Sequence, residues 1–231
     1  MSYQHTAIIL EPRKHKALSF VLNNFLTNLS DDWAVILYHG TDNIDYVTNI
    51  IDRDLSQYKD RISLRSLNVA NLTSRDYDAL LKSAAFYESI PTEMFLIFQT
   101  DTMIFAKHRD LLNQFMQYDY VGAPWDQKMF WTRKFFKVGN GGLSLRRRSK
   151  MLEVIAKEDA KPAYHEDAFL SHPNKVAVNK PSLNEAKLFA IESLFSDTTF
   201  GCHKPWVKLS KQIYGTYPEV KELFDLQGVE T

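Results

Sequence analysis

The chain is poor in the features that most readily declare a function. Its 231 residues hold one cysteine, Cys202, so no internal disulfide can form and a reducing compartment suits the protein. A lone thiol of this kind reads as a small packing residue before it reads as a nucleophile. Neither sign of charge is in excess, with 28 Lys+Arg against 28 Asp+Glu. No overall field therefore recruits nucleic acid or an acidic membrane, and an anionic partner must be held by local groups. Long hydrophobic runs are missing too. Ala7-Ile8-Ile9-Leu10 is followed at once by Glu11, Arg13, Lys14 and Lys16, which is too short for a signal-peptide core or a membrane span. The expectation is a soluble, cytoplasmic protein with no membrane span. There is no linker, low-complexity tract or internal repeat, and neither the dinucleotide-binding glycine pattern nor a P-loop occurs.

What is present is a chain 45% hydrophobic and 24% charged, enough apolar material for a sizeable core. The first half alternates strand-like and helix-like segments. Residues 6–10 predict a strand, 14–29 a helix, 33–38 a strand, and a helix capped by Asp42 carries Ile44, Val47, Ile50 and Ile51. Residues 62–67 predict a third strand. A helix then begins after Thr73-Ser74 and runs before Pro91, and 94–98 form a fourth strand. Such alternation builds parallel sheets with helices on their faces. The fold class is therefore α/β, a mixed, mostly parallel Rossmann-like sheet flanked by helices, in a single domain over 1–231. Beyond Phe105 the pattern shifts to short strands at 118–125 and 143–146, a helix at 147–157 and a helical tail from Val207.

Several polar residues stand where such a fold could use them. Asp101 follows the apolar run Met94-Phe95-Leu96-Ile97-Phe98 and precedes Met103-Ile104-Phe105. The carboxyl end of a buried strand is where an open α/β sheet meets ligands, although a turn aspartate between hairpin strands has the same spacing. Glu11-Pro12-Arg13 occupies the same kind of position after the first strand. Gly139-Asn140-Gly141-Gly142 permits a tight bend or a close approach to a ligand. His165-Glu166-Asp167 opens a helix, so its carboxylates are either dipole-stabilised first-turn acids or a base held on rigid backbone. His203, pinned within Gly201-Cys202-His203-Lys204-Pro205-Trp206, could join Asp101 in a mixed nitrogen and oxygen site suited to manganese or a similar hard ion, completed by ligand phosphates and water. Arg146-Arg147-Arg148 could hold phosphate or form a solvated helix face. Trp125, Phe130, Trp131, Phe135 and Phe136 could stack against a sugar or simply pack.

Taken in order, these strings resemble glycosyltransferases of the GT-A fold. More closely, Ile97-Phe98-Gln99-Thr100-Asp101, the stretch from Tyr118 to Trp125, Gly139-Asn140-Gly141-Gly142-Leu143-Ser144-Leu145-Arg146, Glu166-Asp167 and the segment from Gly201 to Trp206 are similar to a group of small GT-A-like proteins. That group is described as a domain of unknown function presumed to contain glycosyltransferases. The resemblance implies a nucleotide-binding half at 1–105 and an acceptor and catalytic half at 106–231. It implies a nucleotide-diphosphate sugar donor bound by Glu11, Arg13, Gln99, Thr100, Asp101, Gly141, Gly142 and Arg146. A glycan or other hydroxyl would be the acceptor, Asp167 the base of an inverting transfer with Glu166 beside it, and Asp101 and His203 the ligands of a divalent cation, Mn2+ or Mg2+. One position departs from the pattern: Gln99 stands where the first aspartate of the metal-binding motif belongs, and a neutral amide is a poorer hard-metal ligand than a carboxylate. That departure favours a rival, a non-catalytic nucleotide-sugar or glycan-binding module. A sugar nucleotidyltransferase shares the same half-sheet but would need a glycine-rich activation loop where Glu11-Pro12-Arg13 stands.

Overall fold

The computed structural model describes residues 3–128, 137–159, 165–206 and 209–230. Phe130, Trp131, Phe135 and Phe136 of the expected aromatic platform, and Val207 at the start of the tail, lie outside the described residues. Six strands form the main sheet in the order β3 (Ile62–Ser66), β2 (Trp33–His39), β1 (His5–Leu10), β4 (Met94–Phe98), β7 (Ser144–Arg147) and β6 (Tyr120–Gly122). The first four are parallel, and β7 runs antiparallel to both β4 and β6. The mixed, mostly parallel α/β class is therefore the observed one.

Alternate residues of the central strands feed two cores. Ala7, Ile9, Leu96 and Phe98 join one cluster with Leu18, Val21 and Phe25 of the helix Leu18–Asn28, where Phe25 and Phe98 stack at 3.9 Å. Ile8, Phe95 and Ile97 join the other, with Phe86, Tyr87, Met151 and Val154. Burial on both faces explains why these strands read as unbroken apolar runs. The helix expected between Thr73 and Pro91 is broken in two, Ser74–Leu81 and Ala84–Glu88. Ser83 accepts the N–H of Phe86 and caps the second helix, which turns Tyr87 into the core. Asp42 does not cap the next helix; Asn43 occupies that position. Its side chain instead accepts the Gly40 N–H and donates to the carbonyls of Glu11 and Arg13, clamping the loop that leaves β1.

Two pairings position the functional groups. β5 (Thr102–Ile104) is not the return strand of a hairpin. It belongs to a second sheet, ordered β5, β9 (Gly201–His203), β8 (Ala190–Ile191), with Thr102 opposite His203. That register carries His203 from the far end of the sequence to the residue after Asp101. In the main sheet, Ser144 at the start of β7 pairs with Ile97 near the end of β4, which lays the glycine loop over the same strand end.

Candidate functional site

Strand order reverses between β1 and β4, and in open α/β sheets the crevice at that point, outside the carboxyl ends, is where ligands bind. A cavity of about 610 Å³ opens there. Glu11 and Arg13 line it from the end of β1, Gln99, Thr100 and Asp101 from the end of β4, and Gly141, Gly142, Glu166, Asp167 and His203 from the later segments. The fold thus gathers the expected site residues around one volume, with the exception of Arg146.

On the β1 side, Glu11 is buried and grips Arg13 through three bonds. Its Oε1 accepts the Arg13 N–H at 2.9 Å and Nε at 2.8 Å, and its Oε2 accepts Nη2 at 2.8 Å. Fork-to-fork geometry of this kind fixes a guanidinium in orientation as well as in charge. The Arg13 side chain remains 59% exposed, so a preoriented cation faces the cavity.

On the β4 side, Asp101 Oδ1 is buried without a hydrogen-bond partner, and so are both ring nitrogens of His203. His203 Nε2 lies 3.5 Å from Asp101 Oδ1. Buried polar atoms left unpaired call for an unplaced partner. A carboxylate oxygen beside an imidazole nitrogen is a donor set that a hard or borderline divalent cation accepts. Among the described residues no group of three or more His, Cys, Asp or Glu side chains is arranged to hold a metal ion. Gln99 Nε2 donates to the Tyr77 hydroxyl at 3.1 Å, which ties its amide to the helix Ser74–Leu81.

The glycine loop lies between His203 and the acidic pair. A Cβ on Gly142 would stand 2.2 Å from the His203 ring, and one on Gly141 would stand 2.4 Å from Glu166 Oε1. No side chain fits at either place. Gly142→Ala is therefore expected to push the His203 ring away from Asp101 while thermal unfolding remains cooperative, as ring 15N shifts and calorimetric melting would show.

Glu166 and Asp167 differ sharply. Glu166 is 4% exposed and holds the fully buried Arg146 bidentately, Nη1 to Oε2 at 2.8 Å and Nη2 to Oε1 at 3.0 Å. Tyr87 accepts a further Arg146 bond, Ser144 accepts Nε, and the guanidinium lies 4.9 Å from the Tyr120 ring centroid. Burial pulls this guanidinium down, but Glu166, Tyr120 and Tyr87 outweigh it and hold Arg146 above the usual arginine range. Arg146 lies beneath the cavity rather than in it, and Glu166 spends its carboxylate on Arg146.

Asp167 is the partly exposed member. Its Oδ2 accepts the Gly141 N–H at 3.2 Å and its Oδ1 the Ala168 N–H at 2.7 Å. Burial pushes its carboxyl above the usual aspartate range, opposed by the Ala168 N–H, the Arg146 charge and the Gly141 N–H. A raised carboxyl is a stronger base once ionised.

Four further residues at this cavity are not among the expected site residues. Asp78 accepts the Glu166 N–H at 3.1 Å and His165 Nδ1 lies 3.0 Å from its other oxygen. Tyr77 holds Gln99. Glu192 accepts Asn140 Nδ2 at 2.8 Å and approaches His203 Nδ1 at 3.4 Å. Lys204 lines the cavity with a left-handed backbone, φ 44°, a conformation that costs a non-glycine residue about 1 kcal/mol or more and concentrates at functional sites. A basic residue directly after the histidine was the available signal for Lys204; Asp78 and Glu192 have none, because only tertiary packing brings them in. Cys202 is buried, and burial pushes its thiol up, as a packing residue requires. No described helix is long and apolar enough to cross a membrane.

The sheet architecture is that of a GT-A-like fold, and solved structures agree on it. The galactosyltransferase LgtC, solved with donor and acceptor sugar analogues, matches over 98% of this chain and 96% of its own, with TM-score 0.59 at 12% identity. The mannosyltransferase PcManGT from Pyrobaculum calidifontis, solved with GDP-Man and Mn2+, matches over 79% of this chain with TM-score 0.52 at 11% identity. The chain spans 56% of that mannosyltransferase's length. Identities this low show the fold alone. No curated protein matches the sequence. The chain belongs to the family described as protein of unknown function, DUF5672, whose profile matches residues 61–203. That stretch runs from the residue before β3 to His203 at the end of β9.

Proposed function

We propose that this protein transfers a sugar from a nucleoside-diphosphate donor to an acceptor hydroxyl, as one GT-A-like domain with its nucleotide side in residues 1–105 and its acceptor and catalytic side in 106–231. The observation that carries the reading is the meeting of unpaired Asp101 and His203 with the raised carboxyl of Asp167 on one cavity at the strand-order switch. The donor and acceptor classes are supported by the similar solved structures, one in complex with GDP-Man and Mn2+ and one with donor and acceptor sugar analogues.

Glu11 and Arg13 bind the nucleotide side, Arg13 as a fixed cation. Asp101 and His203 would hold a divalent cation, Mn2+ or Mg2+, which when bound neutralises charge on the diphosphate. Lys204 adds positive charge to the same wall. Thr100, Gly141 and Gly142 shape the surface against the donor, and Gln99, tethered to Tyr77, presents a polar neighbour to Asp101 in place of a second acid. Asp167 takes the proton of the acceptor hydroxyl while that oxygen bonds to the anomeric carbon. The bond from this carbon to the diphosphate breaks, and its electron pair leaves with the diphosphate. With the base on the acceptor side and no covalent intermediate, the anomeric carbon inverts.

A panel of UDP-, GDP- and dTDP-sugars incubated with Mn2+ tests this through release of the nucleoside diphosphate. Turnover of one donor, lost in Asp101→Asn, is expected; tight binding without turnover of any donor would support the binding-module reading that Gln99 favours. The pH profile is a further check. Because Asp167 titrates above the ordinary aspartate value of about 3.9, its basic form is lost sooner on acidification, so the acid limb of kcat/KM should lie above that value.

A further inference from the structure

We propose that Glu192 is a positioning residue that sets the tautomer of His203, and through it the affinity of the Asp101–His203 pair for a divalent cation; this rests on the metal reading above. The parallel pairing of β8 with β9 places Ile191 opposite Cys202, which brings the next residues, Glu192 and His203, side by side. His203 is 3% exposed and lies between two carboxylates: its Nε2 is 3.5 Å from Asp101 Oδ1 and its Nδ1 is 3.4 Å from Glu192 Oε1. Glu192 is itself held, since its Oε1 accepts Asn140 Nδ2, and Asn140 Oδ1 accepts the N–H of Gly142. Gly142 is the residue whose missing side chain makes room for the His203 ring. Glycine loop, glutamate and histidine are thus one connected assembly.

A neutral imidazole carries one proton, and a metal ligand needs its lone pair on the ring nitrogen that faces the ion. Here that nitrogen is Nε2, beside Asp101. The proton must then reside on Nδ1, which faces the Glu192 carboxylate at 3.4 Å, close enough for a small adjustment to complete the bond. Without that carboxylate, the buried ring is better satisfied with its proton on Nε2, pointing at Asp101, and the lone pair turns away from the cation position. Outer carboxylates that orient a metal-binding histidine typically contribute 10- to 100-fold to affinity.

The test titrates Mn2+ alone into the protein, following free Mn2+ by electron paramagnetic resonance. In parallel, ring 15N shifts of His203, assigned by comparison with His203→Gln, report the tautomer without any metal. Glu192→Ala should bind Mn2+ 10- to 100-fold more weakly and move the ring proton from Nδ1 to Nε2. Glu192→Gln, which retains an acceptor oxygen and the Asn140 bond, should fall between and serves if the alanine variant does not fold. Unchanged Mn2+ affinity in both variants overturns the proposal and leaves the metal reading standing. Weaker affinity with an unchanged tautomer overturns it too, in favour of simple charge attraction. A wild-type protein that does not bind Mn2+ overturns the metal reading and this inference together.

Discussion

Asp167→Asn should lower sugar transfer by roughly 100- to 10,000-fold, the usual contribution of a positioned base, with donor affinity within a few-fold of wild type. The amide is isosteric and can still accept from one backbone N–H, so the helix start at Glu166 is retained. Stability should not fall with activity. An acid whose folded pKa lies above its unfolded value binds more protons folded than unfolded, so stability declines as pH rises through that interval. Asp167 is such a group. At neutral pH it detracts from stability, and removing its charge should leave the melting temperature equal or higher. Loss of turnover together with undiminished stability identifies a functional carboxylate; equal loss of both would identify a structural one.

Arg146→Met should have the opposite signature. The guanidinium is fully buried, and its removal strands Glu166 as an unpaired buried acid. Breaking a buried pair from one side costs about 3–5 kcal/mol, which for a chain of this size lowers the melting temperature by roughly 10 °C. Adding Glu166→Leu should recover most of the loss, because apolar replacement of both partners is often neutral. Thermal unfolding of the two variants decides the matter. A single variant as stable as wild type but defective in donor binding would return Arg146 to the donor site.

These two expectations also mark how far the sequence could be read. The central strands were visible because burial on both faces leaves continuous apolar runs, and the Asp101, glycine-loop and Glu166-Asp167 strings were visible because tight backbone turns and strand ends restrict composition. Which member of an acidic pair faces a cavity is a matter of helix rotation and of what lies beneath, so Arg146 and Glu166 could not be sorted from Asp167 in advance. The departure of β5 into a second sheet was hidden as well, since Thr102–Ile104 has the composition of a hairpin return. Only its pairing with Gly201–His203, about a hundred residues away in sequence, distinguishes the two. Asp78 and Glu192 depend on the same kind of distant contact.

If Asp101 anchors a nucleoside diphosphate at the end of β4, as proposed, binding must depend on its carboxylate. Calorimetric titration of UDP, GDP and dTDP in the presence of Mn2+, into wild-type protein and Asp101→Asn, measures it most directly. At least one diphosphate should bind the wild type, with affinity at least tenfold lower in the variant. No binding of any diphosphate, or binding that Asp101→Asn leaves unchanged, would contradict it.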